Sequence, residues 1–418
     1  MTISTNSSDG PEHRRIVIIG AGECGTRSAL RLRQLGFDGE ITLIGNEAAL
    51  PYERPTLSKA VLTGSTNPPA ITSIDDLNAN NISWLTAVGV QSIDREAKQV
   101  VLSDGTRIPY NRLLITTGSR ARMPAVDDPS TVMTLRSLAD AENLRARLTS
   151  KARLLVIGGG FIGLEVAASA RSLDCEVTVV EFAHRLMSRV VPARVASVLQ
   201  DRHLEAGVDV RCGVAVDELE AKGGSLRVLL SDGTTLTADI AVGGVGAIPN
   251  VELASHAGLT ITNGIAVNQH LQTSDPNIYA AGDCCSFPHP LYGGQRVRLE
   301  AWRNALEHSE IVAQNLFGGE AICDAVPWFW SEQYELGLQI AGLHAAADYE
   351  IVRTRDDGTE IRFGLDTSGR LVSASGVAEG NGIARDIRVA EMLIARRLTP
   401  SPTILANASI GLRELLAA

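Results

Sequence analysis

Arg15-Ile16-Val17-Ile18-Ile19-Gly20-Ala21-Gly22-Glu23-Cys24-Gly25 decides the fold, together with the helical stretch that runs on to Leu35 and the apolar run Glu40-Ile-Thr-Leu-Ile-Gly-Asn-Glu47. A short continuous apolar run ahead of a glycine turn reads as a strand buried on both faces. The helical spacing that follows, and the second apolar run, complete a strand–helix–strand unit whose strands lie parallel. The same order returns at Arg153-Leu-Leu-Val-Ile-Gly158-Gly-Gly160-Phe-Ile-Gly163-Leu-Glu165, a helix to Leu173, and Glu176-Val-Thr-Val-Val-Glu181. Two copies of one unit make the fold class α/β.

Each copy carries the spacing of a dinucleotide cradle. In Gly20-x-Gly22-x-x-Gly25 the first glycine makes the turn and the second lets backbone approach a pyrophosphate; the third lets helix and strand pack. The phosphates then rest on helix N-terminal amides around Glu23 and Cys24. Gly158, Gly160 and Gly163 repeat the set. Alone such a motif is weak; its strand–turn–helix context and its duplication give two Rossmann-like dinucleotide-binding domains. An acid at the end of the second strand should hold a ribose. In the second copy that is Glu181, which alone would read as a solvated charge but after the glycines reads as the 2′-hydroxyl ligand. It favours NADH over NADPH; Arg185, four residues on, leaves NADPH as the alternative. In the first copy either Asn46 or Glu47 takes the ribose.

Hairpin-like runs follow each copy, Gln99-Val-Val-Leu-Ser-Asp-Gly-Thr106 and Ser225-Leu-Arg-Val-Leu-Leu-Ser-Asp-Gly-Thr234. Each leads to a last strand, Arg112-Leu-Leu-Ile-Thr-Thr-Gly118 and Asp239-Ile-Ala-Val-Gly-Gly-Val-Gly246. After Pro327 the pattern changes to strand-like runs closed by a helix near Asp386 to Arg397, a third, α+β domain.

The 418 residues carry a formal net charge of −10, which argues against nucleic acid. No apolar stretch is long enough for a membrane span, and the polar start, residues 1–12, reads as a disordered tail without a secretory signal. These features lead us to expect a soluble, cytoplasmic protein, a monomer or weak dimer. None of the six cysteines has CxxC spacing, so no metal site is expected. The vicinal Cys284–Cys285 reads as two small residues filling space.

Four segments in order, Leu50-Pro-Tyr-Glu-Arg-Pro-Thr-Leu-Ser-Lys59, Gly158-Gly-Gly-Phe-Ile-Gly-Leu-Glu165, Ile278-Tyr-Ala-Ala-Gly-Asp283 and Val326-Pro-Trp-Phe-Trp-Ser331, resemble the NADH-dependent ferredoxin reductases that serve bacterial cytochromes P450 and Rieske-type oxygenases. The resemblance spans nearly everything from Arg15 onward. It implies a glutathione-reductase-like arrangement: an FAD-binding domain of residues 13–120 and 246–326, an inserted NAD-binding domain of 121–245, and a C-terminal interface domain of 327–418. It implies FAD and NADH as cofactors and a small [2Fe–2S] ferredoxin as partner. Asp283 would accept from the ribityl chain, Trp302 and Val90 would touch the flavin, Thr117 and Gly118 would line the dinucleotide, and Arg136 would reach FAD. Arg54, Ile162, Gly246 and Gly282 would be further cofactor contacts. Lys59 would lie beside flavin N5, paired with Glu165, where a cation suits the negative charge of reduced flavin. Glu300 and the pair Trp328/Trp330 would lie near the nicotinamide.

Residues 45–60 contain no cysteine, so no thiol relay is expected and electrons should leave the flavin directly. Two other classes share the pattern. One is an NADH oxidase or a nitrite-reductase-type flavoprotein subunit; the other is a redox sensor of apoptosis-inducing-factor type whose output is an interface. A ferredoxin, usually acidic, would need a basic patch; Arg296, Arg298 and Arg303, or Arg385, Arg388, Arg396 and Arg397, are the candidates.

Overall fold

A computed structural model describes residues 14–416, so the tail expected at 1–12 lies outside the described residues. The chain divides into two compact units. The first draws on the chain up to Glu53, Pro69–Arg120 and Pro249–Asp324; the second takes Arg54–Pro68, Ala121–Ile248 and everything from Ala325 on.

The first unit is built on a five-stranded sheet in the order Ile278–Ala280, Arg112–Ile115, Arg15–Ile19, Glu40–Ile44, Ile82–Leu85. Every neighbouring pair is parallel. Ile16, Val17, Ile18 and Ile19 are buried, as an unbroken apolar run requires when both faces are covered. The helix Glu23–Gln34 leaves the central strand at the point where the strand order reverses, with Glu40–Ile44 on one side and Arg112–Ile115 on the other. In doubly wound sheets that reversal opens the crevice where ligands bind. A three-stranded antiparallel sheet, Val90–Asp94, Gln99–Leu102 and Arg107–Pro109, accounts for the hairpin expected there.

The second unit repeats the plan with strands ordered Asp209–Cys212, Glu176–Glu181, Arg153–Ile157, Ile240–Gly243, Val132–Thr134, again all parallel. Its helix Phe161–Ser172 also starts at the reversal. The antiparallel sheet Val216–Lys222, Ser225–Leu230, Thr235–Ala238 seals one face through Leu219, Leu226, Val228 and Leu230. From Trp328 the chain forms a five-stranded antiparallel sheet with the helix Ala384–Ala395 packed on its second and third strands, Leu336–Gly342 and Leu371–Glu379. The α+β character expected after Pro327 is what the chain adopts. Arg353, buried in this part, donates to the carbonyls of Ile404, Leu405, Ala408 and Ile410 and so ties down the helix Pro402–Ala406 and the segment after it. No helix among the described residues is long and apolar enough to cross a membrane.

Candidate functional site

Both glycine turns sit at the C-terminal ends of the central strands, and their glycines divide into two kinds. Gly20 has φ +112°, and a Cβ on it would lie 2.2 Å from the Thr116 carbonyl oxygen. A Cβ on Gly25 would lie 1.9 Å from the Gly20 oxygen, and one on Gly163 2.1 Å from that of Gly158. Those glycines serve the fold, letting each helix close onto its strand. Gly22 is different. Its φ is −78°, a value any residue adopts, and nothing lies within 4 Å of where its Cβ would be. Gly160 behaves alike, at φ −89° with only the Gly244 oxygen at an ordinary 3.7 Å. Neither backbone strain nor packing asks for glycine at these two places. Open space at a helix N-terminus, lined by free amide donors, fits a pyrophosphate coming close to the chain.

In the first unit Thr116 fastens the turn by donating to Gly20 O at 2.8 Å. Thr117 and Asn250 bond reciprocally, each side chain donating to the other's carbonyl at 2.8 Å, and Gly118 takes φ +64°. Ser119 donates to Asp283 at 3.1 Å. Asp283 lies within the short 3-10 helix Gly282–Cys284, where Gly282 supplies φ +78°. Asn46 is exposed at the end of its strand, and Glu47 is part-buried and accepts from Tyr52 Oη at 2.6 Å. Val90 opens its strand half-buried, and Trp302 opens the helix Trp302–Leu316. Glu300 is exposed and paired with Arg298. Cys24, Cys284 and Cys285 are free and buried, and burial pushes all three thiols up, Cys284 to about 11. Cys24 is thus a poor source of thiolate.

In the second unit Glu181 does more than end a strand. Its Oε2 accepts from Gly159 N and its Oε1 from Ala183 N, both at 2.7 Å, so the carboxylate ties the glycine turn to the strand end. Arg185, read from the sequence as an opening for NADPH, is committed elsewhere. Its guanidinium donates to the carbonyls of Leu186, Ser188 and Val191, an internal strut for its own loop. Ile162 is 42% exposed beside the open Gly160, and Gly246 has φ +105° with nothing near its Cβ position. Arg54 donates to the Arg136 carbonyl at 2.6 Å. Arg136 N in turn donates to Asp140, extending the capping box at Ser137.

The same unit brings Lys59 and Glu165 together, with Nζ 3.2 Å from Oε1. Lys59 Nζ also lies 5.7 Å from the centre of the Trp330 ring, which stacks on Trp328 at 5.3 Å. Glu165 is 5% exposed, and a buried carboxylate needs partners. Beyond Lys59 it accepts from Ser58 Oγ and, at 2.7 Å, from Ser331 Oγ. The resemblance implied the ion pair and not the serines, although Ser58 and Ser331 both lie inside the motifs that carry it.

Of the basic residues considered for docking, Arg298 and Arg303 pair with Glu300 and Glu307, and Arg296 donates to the carbonyls of Val267 and Ser286. Arg298 and Arg303 thus spend their charge on neighbouring carboxylates, while Arg296 keeps its own. Arg385, Arg388, Arg396 and Arg397 are exposed, Arg388 paired with Glu391 at 2.8 Å.

Residues 14–309 match the family described as pyridine nucleotide-disulphide oxidoreductase, and residues 328–416 the family described as reductase C-terminal. The chain is similar to putidaredoxin reductase of Pseudomonas putida, 39% identical, with 96% of this chain and 97% of that protein covered. It is equally similar to the ferredoxin–NAD(+) reductase component of the anthranilate 1,2-dioxygenase system of Burkholderia cepacia, at 39% identity over 96% of this chain and 98% of that one. Among solved structures, the reductase chain of a covalent putidaredoxin reductase–putidaredoxin complex superposes with a TM-score of 0.91 at 38% identity, covering 97% of this chain and 99% of that one.

Proposed function

The chain belongs to the pyridine nucleotide-disulphide oxidoreductase family, and from that premise we propose that it is an FAD-dependent NADH:ferredoxin oxidoreductase supplying electrons to a monooxygenase or dioxygenase. The observation that carries this is the pair of open cradles, at Gly22 and Gly160, in two copies of one fold. One takes FAD, on the amides at Glu23 and Cys24 with Asp283 on the ribityl side; the other takes NADH, with Glu181 at the ribose. Bound FAD supplies the step from a two-electron donor to a one-electron acceptor. The resemblance assigns Lys59, which Glu165 holds, to the charge of the reduced ring. With no cysteine at 45–60 and Cys24 held protonated by burial, electrons pass out without a thiol relay. Its six free cysteines suit the reducing cytoplasm, where we place it.

The purified protein should be yellow, with one non-covalent FAD per chain, and should reduce cytochrome c with NADH only when a [2Fe–2S] ferredoxin is added. Rapid NADH consumption by oxygen alone, without ferredoxin, would overturn the assignment of acceptor. We take the closing helix as the docking candidate because Arg385 and Arg388 are both exposed on it, whereas Arg298 and Arg303 are only part-exposed and paired. Charge reversal at Arg385 and Arg388 should weaken ferredoxin-dependent turnover and flatten its fall with salt, since surface attraction is screened over about 8 Å at physiological ionic strength. Reduction of a small dye should barely change. Unaltered salt dependence in the reversed variants would remove that helix from the docking surface.

A further inference from the structure

Behind Glu165 runs a chain of buried polar groups that the proposed function does not use. Ser331 Oγ, bonded to Glu165 at 2.7 Å, accepts from Gln333 Nε2 at 3.0 Å. Gln333 Oε1 is 2.9 Å from His203 Nε2, and His203 Nδ1 is 3.0 Å from Tyr334 Oη. Ser331, Gln333 and His203 are 1%, 2% and 0% exposed. At the outer end the Tyr334 ring lies under the Arg202 guanidinium, 4.3 Å away, and Arg202 pairs with Glu335. The chain therefore links a surface ion pair on the helix Ala193–Glu205 and its neighbouring turn to the carboxylate that holds Lys59.

With His203 neutral, only one arrangement of protons satisfies every link. Glu165, held against Lys59, accepts, so Ser331 must donate to it and can only accept from Gln333. The Gln333 amide must therefore present its NH2 to Ser331 and its oxygen to His203. That fixes the His203 tautomer with the proton on Nε2, and Tyr334 must donate to Nδ1. The two outer groups suit these roles. Burial lowers the affinity of His203 for a second proton, and burial pushes the Tyr334 phenol up to about 12, so both stay neutral. Were His203 absent, the Gln333 oxygen would lose its donor. The amide could then turn and take the Ser331 hydroxyl for itself, stripping Glu165 of one bond.

We propose that His203 is a positioning residue for the Lys59–Glu165 ion pair, acting through Gln333 and Ser331 to keep the carboxylate oriented. This rests on the reading that the pair serves the flavin. The prediction is a loss in flavin reduction, not in nucleotide binding. In stopped-flow with the FAD-loaded enzyme, His203→Phe and Ser331→Ala should each slow flavin reduction at saturating NADH by roughly tenfold, as loss of a hydrogen bond to a charged group would. The NADH concentration for half-maximal rate should stay put, the flavin midpoint potential should fall, and Ser331→Thr, which keeps a hydroxyl, should restore both.

The test is coupling. With Glu165→Gln in place, adding His203→Phe or Ser331→Ala should change the rate by less than about twofold, because the charge they serve is gone. Fully additive losses would mean that His203 supports the fold alone, and the proposal falls. Single variants that leave rate and potential unchanged, beside a Glu165→Gln that changes both, would also overturn it while sparing the reading of the ion pair. A Glu165→Gln enzyme indistinguishable from the original sinks that reading and the proposal with it. Ser331→Ala deletes one oxygen only, so the comparison survives if the larger change at His203 prevents folding.

Discussion

Replacing Gly22 by valine should give a folded, colourless protein. The N-cap conformation there, φ −78° and ψ −167°, is extended backbone that does not require glycine, and nothing lies within 4 Å of the new Cβ. The fold loses little more than the difference between two helix caps, a cost of order 1 kcal/mol. The cradle, by contrast, is filled by a branched side chain where the proposed pyrophosphate would come close. Affinity for FAD should drop by roughly 100-fold or more, since overpacking a close contact costs about 1–3 kcal/mol before any lost amide bonds are counted. Gly25→Val is the control with the opposite outcome. Its Cβ would stand 1.9 Å from the Gly20 carbonyl oxygen, so the helix must leave its strand and the apo-protein itself should melt far lower or fail to fold. Gly160→Val separates the two nucleotides: that protein should be yellow and yet reduced by NADH only at much higher concentration. Thermal melting of the apo-proteins and titration with FAD read all three. A Gly22→Val chain that retains FAD as tightly as the original would remove the pyrophosphate from this turn.

What the sequence made legible follows from distance along the chain. The strand–glycine–helix–strand units are local, and each apolar run, Ile16–Ile19 or Leu154–Ile157, is buried as its unbroken pattern requires. The antiparallel sheets after each unit announced themselves through Asp-Gly turns. The Lys59–Glu165 pair was reached only through resemblance, because its partners lie about a hundred positions apart in sequence and neither residue type implies the other. The links around it are of the same kind. Ser58 to Glu165 spans 107 residues, Ser331 to Glu165 166, and His203 to Gln333 130, and nothing local marks any of them. The grouping of Arg54–Pro68 with the second unit has the same origin, for Arg54 bonds to Arg136 across 82 residues. Arg185 shows a different limit. Its position four residues after Glu181 suits a phosphate ligand, but three backbone carbonyls of its own loop take the guanidinium, and spacing cannot report how a loop satisfies its carbonyls.

That commitment of Arg185 sharpens the expectation for the nucleotide. A 2′-phosphate arriving at this strand end would meet the Glu181 carboxylate and find the nearest arginine already bonded to Leu186, Ser188 and Val191. NADH should therefore exceed NADPH in kcat/KM by a wide margin, of order 100-fold if like-charge juxtaposition costs a few kcal/mol. Because both carboxylate oxygens hold backbone amides, at Gly159 and Ala183, removing the side chain has two separable effects. Glu181→Ala should raise KM for NADH, through the lost ribose contact and a looser turn, while raising kcat/KM for NADPH or leaving it unchanged. The preference should narrow by roughly tenfold, matching about 1.4 kcal/mol of lifted repulsion. Glu181→Gln removes the charge but sets an NH2 group against one of the two amides. It should narrow the preference as much and lower the melting temperature more than the charge change alone would. Arg185→Ala should leave the NADH-to-NADPH ratio where it was, since that side chain serves its own loop. Steady-state kinetics with both nucleotides for the three variants decides the matter. An original enzyme that prefers NADPH, or an Arg185→Ala variant that alone shifts the ratio, would transfer the ribose assignment away from Glu181.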